Sequence, residues 1–349
     1  MNDATTAENI HVRDLHAVAI WLFVICAMIF AMVVLGGVTR LTESGLSMVD
    51  WRPITGWLPP MTDSEWAKVF ADYRTSPEYK YVNAGMTLGD FKEIFWLEYL
   101  HRLFGRIIGL VFFLPFMFFL VTKRLDKALR RRCWIMFVLG GLQGVLGWYM
   151  VKSGLVDEPD VSQYRLAAHL GLALVIYLYI LWTAWGIVLP RPHVPPPGQA
   201  RDIGRSAALL GLIFVTVLSG ALVAGLDAGL LYNTFPLMDG RLVPEGAFEL
   251  QPFHLNFFEN RATVQFDHRV LALTTVAAVV VYWLRLRRNA THLPLKRAGH
   301  LLLLAVVAQA GLGIATLIHA VPIALGALHQ AGAVLLLTAG LWLVHQTRR

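Results

Sequence analysis

The chain has 349 residues, of which 56% are hydrophobic and only 15% are charged. A soluble protein of this length needs more charge to cover its surface, so the composition indicates a protein whose solvent is the lipid bilayer. The net charge of +7 does not predict a nucleic-acid partner, because the basic residues are distributed as in a membrane protein.

Apolar runs of about 20 residues recur along the chain, and each is long enough to cross a hydrocarbon core of roughly 30 Å. They predict an all-α polytopic membrane protein with eight transmembrane helices. Pro322 marks a turn between the last two runs. Long segments, 39–96 and 227–263, follow the first and fifth helices and are expected to form partly ordered caps. The eight predicted spans are 16–38, 97–121, 133–151, 164–188, 206–226, 264–284, 299–319 and 321–345.

Basic residues cluster in the connections that share one side of the membrane with the N-terminus. The two ends and the connections 122–132, 189–205 and 285–298 hold more than half of the 30 Lys and Arg residues. This is the positive-inside pattern. It predicts that both termini are cytoplasmic.

The two halves of the chain resemble each other, which predicts two tandem four-helix repeats, residues 1–190 and 191–349. Because each half has an even number of helices, the repeats are expected to be parallel, related by an axis along the membrane normal. The equivalent positions are Gly36 and Gly220, Gly45 and Gly229, His101-Arg102 and His268-Arg269, Gln143 and Gln309, and His169 and His329.

Four of the 12 histidines lie well inside predicted helices, two in each half and at similar depth. An ionisable group inside a membrane segment is costly and indicates a functional site. Paired imidazoles on different helices can ligate haem iron from both sides of the ring. The alternative is that they are packing residues bonded to backbone carbonyls. The four are His101, His169, His268 and His329.

The remaining polar side chains of the helices receive simpler interpretations. Gln143 and Gln309 are expected to make hydrogen bonds between helices and to have no catalytic role. The other histidines lie near helix ends or in connections and are expected to be solvated. These are His11, His16, His193, His254, His292, His300, His319 and His345.

One carboxylate distinguishes the two halves. Glu98 precedes His101 by three residues, on the same helix face, and Gln265 stands at the equivalent position. A carboxylate at a haem edge can take a proton or stabilise a developing cation, whereas an amide can do neither. Glu98 is therefore the predicted catalytic group, and the first half is the predicted reactive half. The alternative is that Glu98 only pairs with an arginine.

Two arginines directly follow a histidine. The guanidinium groups of Arg102 and Arg269 could bind haem propionates, because guanidinium suits bidentate carboxylate binding. Pairing with a nearby acid such as Asp267 remains the alternative.

Several stretches resemble the haem A synthase family, and the resemblance covers essentially the whole chain in motif order. Members oxidise the C8 methyl of haem O to a formyl group by successive hydroxylation, for the biogenesis of haem-copper oxidases. The matching stretches are Gly36-Gly37-Val38-Thr39-Arg40-Leu41-Thr42-Glu43-Ser44-Gly45-Leu46-Ser47-Met48 with Trp51, Glu98-Tyr99-Leu100-His101-Arg102, and residues 327–332 around His329.

The resemblance implies a role for each candidate residue. His268 with His329 is expected to carry a haem b cofactor, His101 with His169 to face the substrate haem O, and Glu98 to be catalytic. The family also implies contacts with a haem O synthase and with oxidase assembly factors. The expected location is the bacterial cytoplasmic (inner) membrane, and the sequence leaves the oligomeric state open, a homo-oligomer included.

Some bacterial members of that family carry cysteine pairs in outer loops, and this chain has none there. Cys26 and Cys133 lie inside or at the start of helices, so no disulfide is expected. The chain thus resembles the subgroup without the pairs.

Two other functions remain open from the residues alone. A di-haem b membrane cytochrome in quinol-linked electron transfer would have two similar haem sites and no need for Glu98 to differ from Gln265. A transporter that uses the histidines as proton relays would contain no haem.

Overall fold

The computed structural model describes residues 2–51, 56–154, 161–189, 199–289 and 293–348, and within these ranges it contains helices and no β-strand. Eight of the described helices are long and apolar enough to cross a membrane, which confirms the predicted fold class and the number of spans. The helices are α1 (Asn2–Leu41), α2 (Asp63–Tyr73), α3 (Pro77–Tyr81), α4 (Leu88–Val121), α5 (Lys127–Gly154), α6 (Gln163–Val188), α7 (Gln199–Gly225), α8 (Asn256–Glu259), α9 (Arg261–Asn289), α10 (Leu293–Ile318) and α11 (Ile323–Thr347).

The segment between α1 and α4 is ordered by local capping. Thr62 and Glu65 form a capping box that starts α2, and Ser76 caps α3, whose first residue is Pro77. Such pairs satisfy the free N–H groups of a first helical turn. A second capping box at Thr87 starts α4 at Leu88, well before the membrane span predicted from residue 97.

The early start of α4 creates a platform for α2. Trp66 and Tyr73 of α2 pack against Phe91, Phe95 and Tyr99 of α4. The ring centroids of Tyr73 and Phe91 are 4.9 Å apart, and those of Trp66 and Phe95 are 5.0 Å apart. Burial of these rings holds the segment against α4, since each aromatic side chain removes a large apolar area from water. We refer to these five residues as the aromatic cluster.

The segment between α7 and α9 is held by side-chain amides. The Asn256 amide donates to the carbonyls of Leu250 and Phe253 at 2.9 and 2.8 Å, and it accepts from the Leu250 N–H at 2.9 Å. The Asn260 amide donates to the Gly246 carbonyl at 2.8 Å. These contacts satisfy backbone groups of a segment that has little regular secondary structure of its own.

The chain divides into two compact units. Unit 1 comprises Met1–Arg165 and Val175–Ile187, and unit 2 comprises Leu166–Leu174 and Val188–Arg349. In unit 1, α1 packs on α4 and α4 packs on α5. In unit 2, α7 packs on α9 and α11, and α10 packs on the same two helices. These four helices of unit 2 therefore form a closed ring, in which α9 and α11 lie on opposite sides. The predicted division at residue 190 into two tandem repeats stays a prediction.

Candidate functional site

His268 is held on α9 by a serine from the neighbouring helix α7. Its Nδ1 atom lies 2.8 Å from the Ser219 hydroxyl. That hydroxyl donates its only proton to the Thr216 carbonyl at 2.8 Å, so its oxygen can accept a proton from Nδ1. This assignment places the hydrogen on Nδ1 and leaves the lone pair of Nε2 for a metal.

His329 is held on α11 by Gln309 of α10. The Gln309 amide nitrogen lies 3.1 Å from Nδ1 of His329 and donates to its backbone carbonyl at 2.9 Å. The amide can reach this position because residue 332 is glycine: a Cβ there would fall 2.2 Å from Oε1 of Gln309. Because the amide nitrogen can only donate, Nδ1 of His329 is the acceptor in this contact, and the proton of the neutral ring lies on Nε2. Ligation of a metal through Nε2 would require this proton to move to Nδ1 and the contact with Gln309 to change. Gln309 does bond between helices, as predicted, and its partner is a candidate haem ligand.

Two glycines let the imidazoles lie directly against neighbouring helix backbones. A Cβ at Gly220 would fall 3.0 Å from Cε1 of His268, and a Cβ at Gly313 would fall 2.8 Å from Cε1 of His329. Both distances are shorter than ordinary contacts between carbon atoms. Any larger residue would force the imidazole to move, so each ring is held on one side by a hydrogen bond and on another by a glycine.

The donor set of unit 2 fits a haem iron. His268 and His329 lie on opposite helices of the ring and are close enough to interact electrostatically. Among the described residues there is no cluster of three or more His, Cys, Asp or Glu side chains that could hold a metal ion directly. Two imidazoles suit an iron that brings four ring nitrogens of its own. His268 meets that requirement through its free Nε2 lone pair, and His329 meets it in the tautomer that carries its proton on Nδ1.

The two histidines of the first half lie in different units. His101 belongs to unit 1 and His169 to the stretch of α6 that groups with unit 2. His101 faces Gly36 of α1, where a Cβ would fall 3.5 Å from its Nε2 atom. Gly36 is the predicted equivalent of Gly220. Leu35 stands where unit 2 has Ser219, so this position offers no side-chain hydrogen bond to His101.

Glu98 is 2% exposed and has both carboxylate oxygens engaged. Oε1 accepts from the guanidinium of Arg102, one turn further along α4. Oε2 accepts from the Ser47 hydroxyl at 2.6 Å and from the Met48 N–H at 2.7 Å. The structure therefore contains the ion pair with an arginine that was the alternative interpretation of Glu98. A catalytic role for this carboxylate stays a prediction.

Arg102 joins the segment after α1 to α4, because its guanidinium donates to backbone carbonyls of that segment. Nη2 donates to the Met48 carbonyl at 3.0 Å, and Nη1 donates to the Asp50 carbonyl at 3.1 Å. The guanidinium also lies over the Trp51 ring, 4.8 Å from its centroid. These groups occupy both terminal nitrogens of the arginine, and its role as a propionate partner stays a prediction.

Arg269 makes the same pair of contacts in unit 2. Nη2 donates to the Tyr232 carbonyl at 2.7 Å, and Nη1 donates to the Thr234 carbonyl at 2.8 Å. Counted from Gly45 and Gly229, these carbonyls stand at the same positions as the two that Arg102 contacts. An acid partner was the alternative for this arginine, but its terminal nitrogens bind backbone carbonyls.

Glu98 and Gln265 occupy equivalent positions of the two halves, but Glu98 accepts hydrogen bonds and Gln265 donates one. The glutamate accepts from the Met48 N–H, whereas the Gln265 amide donates to the Tyr232 carbonyl at 3.0 Å. Oε1 of Gln265 is buried and has no hydrogen-bond partner among the described residues. The two halves therefore differ as the sequence predicted: Glu98 is a carboxylate that accepts from three donors, and Gln265 is a neutral amide.

Several contributors to the site have no clear signal in the sequence. Ser219 and Gly313 could be recognised only once the neighbouring helices were known.

His345 was expected to be solvated but is 1% exposed, and its ring stacks on Trp342 at a centroid distance of 5.7 Å. The C-terminal end of α11 is buried as a whole, and Thr347 contacts Ser206 of α7.

The other histidines expected to be solvated divide into two groups. Four are exposed on the surface of the chain: His16, His254, His300 and His319. The remaining three lie outside the side chains that the structure describes: His11, His193 and His292.

Residues 19–341 match the model of the COX15-CtaA family, described as cytochrome oxidase assembly protein. The chain belongs to this family. It is 52% identical over 333 residues to a protein of Nitrosospira multiformis named heme A synthase, a match that covers 95% of this chain and 94% of that protein. Proteins of the same name from Nitrosomonas eutropha and Parvibaculum lavamentivorans are 53% identical over 327 residues and 50% identical over 331 residues. These matches cover 93% and 95% of this chain and 92% and 94% of the two relatives.

Membership of the COX15-CtaA family bears on the interpretation of the histidines. The relatives are aligned over nearly their whole length, so all four membrane histidines lie inside the matched region.

The two free cysteines, Cys26 and Cys133, are both buried. They are not joined by a disulfide.

Proposed function

We propose that this chain is a haem A synthase, a membrane-bound oxidoreductase that converts the C8 methyl of haem O into a formyl group by successive hydroxylation. The observation that carries the proposal is the 52% identity to a protein of that name over 95% of the chain. The geometry of unit 2 supports it, because His268 and His329 lie on facing helices, close enough to interact electrostatically, and Nε2 of His268 has a free lone pair.

We assign His268 and His329 to a haem b cofactor. When bound, haem b supplies one-electron transfer. Ser219 orients the His268 ring by accepting from Nδ1–H, and such a second contact both fixes the ring and raises the basicity of the ligating nitrogen. Gln309 fixes the position of His329 through its backbone carbonyl and its Nδ1 atom. Gly220 and Gly313 have no side chain and so leave room for the imidazole rings of His268 and His329.

We assign His101 and His169 to the substrate haem O and Glu98 to its reacting methyl group. Removal of electrons from that carbon develops positive charge, which a nearby carboxylate stabilises. The carboxylate can also accept a proton that the carbon loses. Its three hydrogen-bond donors support this role, because they hold the anion in one orientation before the substrate reacts. The equivalent amide of Gln265 carries no charge.

The positive-inside distribution of Lys and Arg supports a cytoplasmic location of both termini in a bacterial inner membrane. Parts of the basic connections, residues 190–198 and 290–292, lie outside the described residues. Supply of haem O by a neighbouring haem O synthase, contacts with oxidase assembly factors, homo-oligomer formation and the tandem origin of the two halves also belong to the proposal.

The haem content of the protein tests this function. The chain is purified in detergent from cells with and without a source of haem O, and the extracted haems are separated and identified. We expect haem b alone without haem O, and haem b with haem O and haem A when it is supplied. Two haem b groups that do not respond to haem O would instead support an electron-transfer cytochrome. Protein without any haem would contradict both functions.

A further inference from the structure

The three donors that bind Glu98 differ in what else they do. Arg102 carries a charge and also binds two carbonyls of the segment after α1, and the donor of Met48 is a backbone N–H. The third donor is the hydroxyl of Ser47, a residue that is 2% exposed, and its Oγ lies 2.6 Å from Oε2 of Glu98. A hydroxyl has one proton to donate. The Ile94 carbonyl is 3.4 Å from the same Oγ, so the shorter contact with the carboxylate takes this proton.

A turn at the end of α1 brings Ser47 to this place. Glu43 has a positive φ of 52°, and its N–H donates to the Arg40 carbonyl at 3.1 Å. The Ser44 N–H donates to the Thr39 carbonyl at 3.0 Å. Together these two bonds form a Schellman motif, which ends a helix and redirects the chain. The Ser44 hydroxyl also bonds the Thr39 carbonyl at 3.1 Å, so the turn is fixed before the chain reaches Ser47.

Unit 2 has the same turn without the serine. Asp227, the predicted equivalent of Glu43, also has a positive φ, 48° against 52°. In the same register, Leu231 stands at the position of Ser47, and its side chain has no hydrogen-bond donor. The half with the carboxylate therefore has the hydroxyl, whereas the half with the amide of Gln265 has a leucine. The hydroxyl accompanies the carboxylate and is not a requirement of the turn.

From this arrangement we infer that Ser47 is a positioning residue for Glu98, whose carboxylate it holds in one orientation towards the substrate. Arg102 binds Oε1, and Ser47 binds Oε2 together with the Met48 N–H. A carboxylate bound at both oxygens cannot rotate without losing charge-assisted hydrogen bonds. An anion fixed in this way needs no reorientation when positive charge develops beside it. The inference rests on the proposed function, in which Glu98 acts on the reacting methyl group.

The first test compares Ser47→Ala with a matched control, Ser44→Ala, which removes another buried hydroxyl from the same segment. Haem A formation is measured in membranes at several concentrations of added haem O. In Ser47→Ala we expect kcat to fall by about 10-fold, because the carboxylate is less well placed. The KM for haem O should stay near the wild-type value, since the hydroxyl acts on the carboxylate and not on substrate binding.

Ser44→Ala should keep the wild-type kcat, although it also loses a buried hydrogen bond. The haem b content of each variant, normalised to protein, checks that the chain is folded. An unchanged kcat in Ser47→Ala would overturn the inference. An equal fall in both serine variants would overturn it as well, because the effect would then come from a loosened segment.

A double-mutant cycle tests whether Ser47 acts through Glu98. In the Glu98→Gln background, Ser47→Ala should lower the residual rate by less than about 2-fold, because the charge that the hydroxyl orients is already absent. Two effects that simply multiply would contradict the inference. Ser47→Thr keeps a hydroxyl and should recover most of the rate that Ser47→Ala loses. No recovery at normal haem b content would exclude the hydroxyl as the active group.

An infrared measurement does not need the reaction. The carboxylate stretching band that disappears in Glu98→Gln belongs to Glu98, and its frequency depends on the hydrogen bonds of the two oxygens. We expect this band to shift in Ser47→Ala and to keep its position in Ser44→Ala. A band at the wild-type position in Ser47→Ala would overturn the inference. If the wild-type protein made no haem A, the proposed function would fail, and this band alone would decide whether Ser47 holds Glu98.

Discussion

Arg102 lies one helical turn after Glu98 on α4 and joins its carboxylate to two backbone carbonyls of the segment that follows α1. A buried charge is tolerated when it is paired and hydrogen-bonded, and this pair meets both conditions. The carboxylate is consequently part of the structure that closes the segment onto α4, as well as the proposed catalytic group. Variants of Glu98 must therefore separate loss of charge from loss of structure.

Glu98→Gln should lose most of the activity while the chain still folds. Glutamine has the same size and keeps one acceptor oxygen, but it leaves the buried Arg102 without its ion-pair partner, so a lower thermal stability is also expected. We expect haem b content to be retained and haem A formation to fall by about 100-fold or more, the usual scale for loss of a proton-transfer group. Extracted haems, normalised to protein, measure both quantities. Full conversion to haem A would exclude a role for the carboxylate charge, and Gln265→Glu serves as the reciprocal variant.

Alanine at Gly220 or Gly313 should displace the neighbouring imidazole. The added Cβ would lie 3.0 Å from His268 or 2.8 Å from His329. We expect haem b occupancy to drop in both variants, and more in Gly313→Ala. Gly211→Ala on α7 and Gly311→Ala on α10 are matched controls, because no atom lies within 4 Å of a Cβ at either place. The haem-to-protein ratio measures the effect. Equal occupancy in all four variants would show that the rings do not carry haem.

Ser219→Ala should weaken the haem of unit 2 without preventing folding. The substitution removes the acceptor that orients Nδ1 of His268. Loss of such a second contact typically lowers metal affinity by about 10-fold to 100-fold. Haem retention during dilution in detergent and the reduction potential of the remaining haem provide the measurement. Thr338→Ala, which removes a hydroxyl that bonds its own helix α11, is a suitable control. A potential and a retention equal to those of the wild type would contradict the orienting role.

Arg269→Gln should loosen the segment 226–260. The arginine binds two carbonyls of that segment, and each buried hydrogen bond to a charged group contributes about 1.5–3 kcal/mol. We expect faster proteolysis within the segment. Arg241→Gln is the control, because its ion pair with Glu245 is 62% and 77% exposed and contributes little. Haem loss with unchanged proteolysis would favour a propionate contact for Arg269.

Hydropathy alone predicts the membrane helices of this protein, because each span must satisfy its backbone internally and present apolar side chains to lipid. The start of α4 was predicted near residue 97, since residues 88–96 are less apolar. The capping box of Thr87 and Asp90 is nevertheless visible in the sequence, as is the pair Thr62 and Glu65 that starts α2. These signals could have revealed the helical order between α1 and α4.

The candidate site is less predictable than the fold. His268, His329 and Glu98 stand out because ionisable groups are rare inside membrane helices. Their partners do not stand out. Ser219 is one of many small hydroxyl residues in apolar helices, and its contact with His268 depends on the rotation of α7 against α9. The contacts of Arg102 and Arg269 end on backbone carbonyls, which every residue has.

The binding of both arginines to backbone carbonyls affects which residues can change among homologues. Because Arg102 and Arg269 contact main-chain oxygens at positions 48, 50, 232 and 234, the side chains at these four positions are not selected by the arginines. Substitution there should leave the arginine contacts in place, and no correlated changes should link the two sets. Methods that infer proximity from covariation between homologues would accordingly overlook the contacts that fasten both segments to their helices.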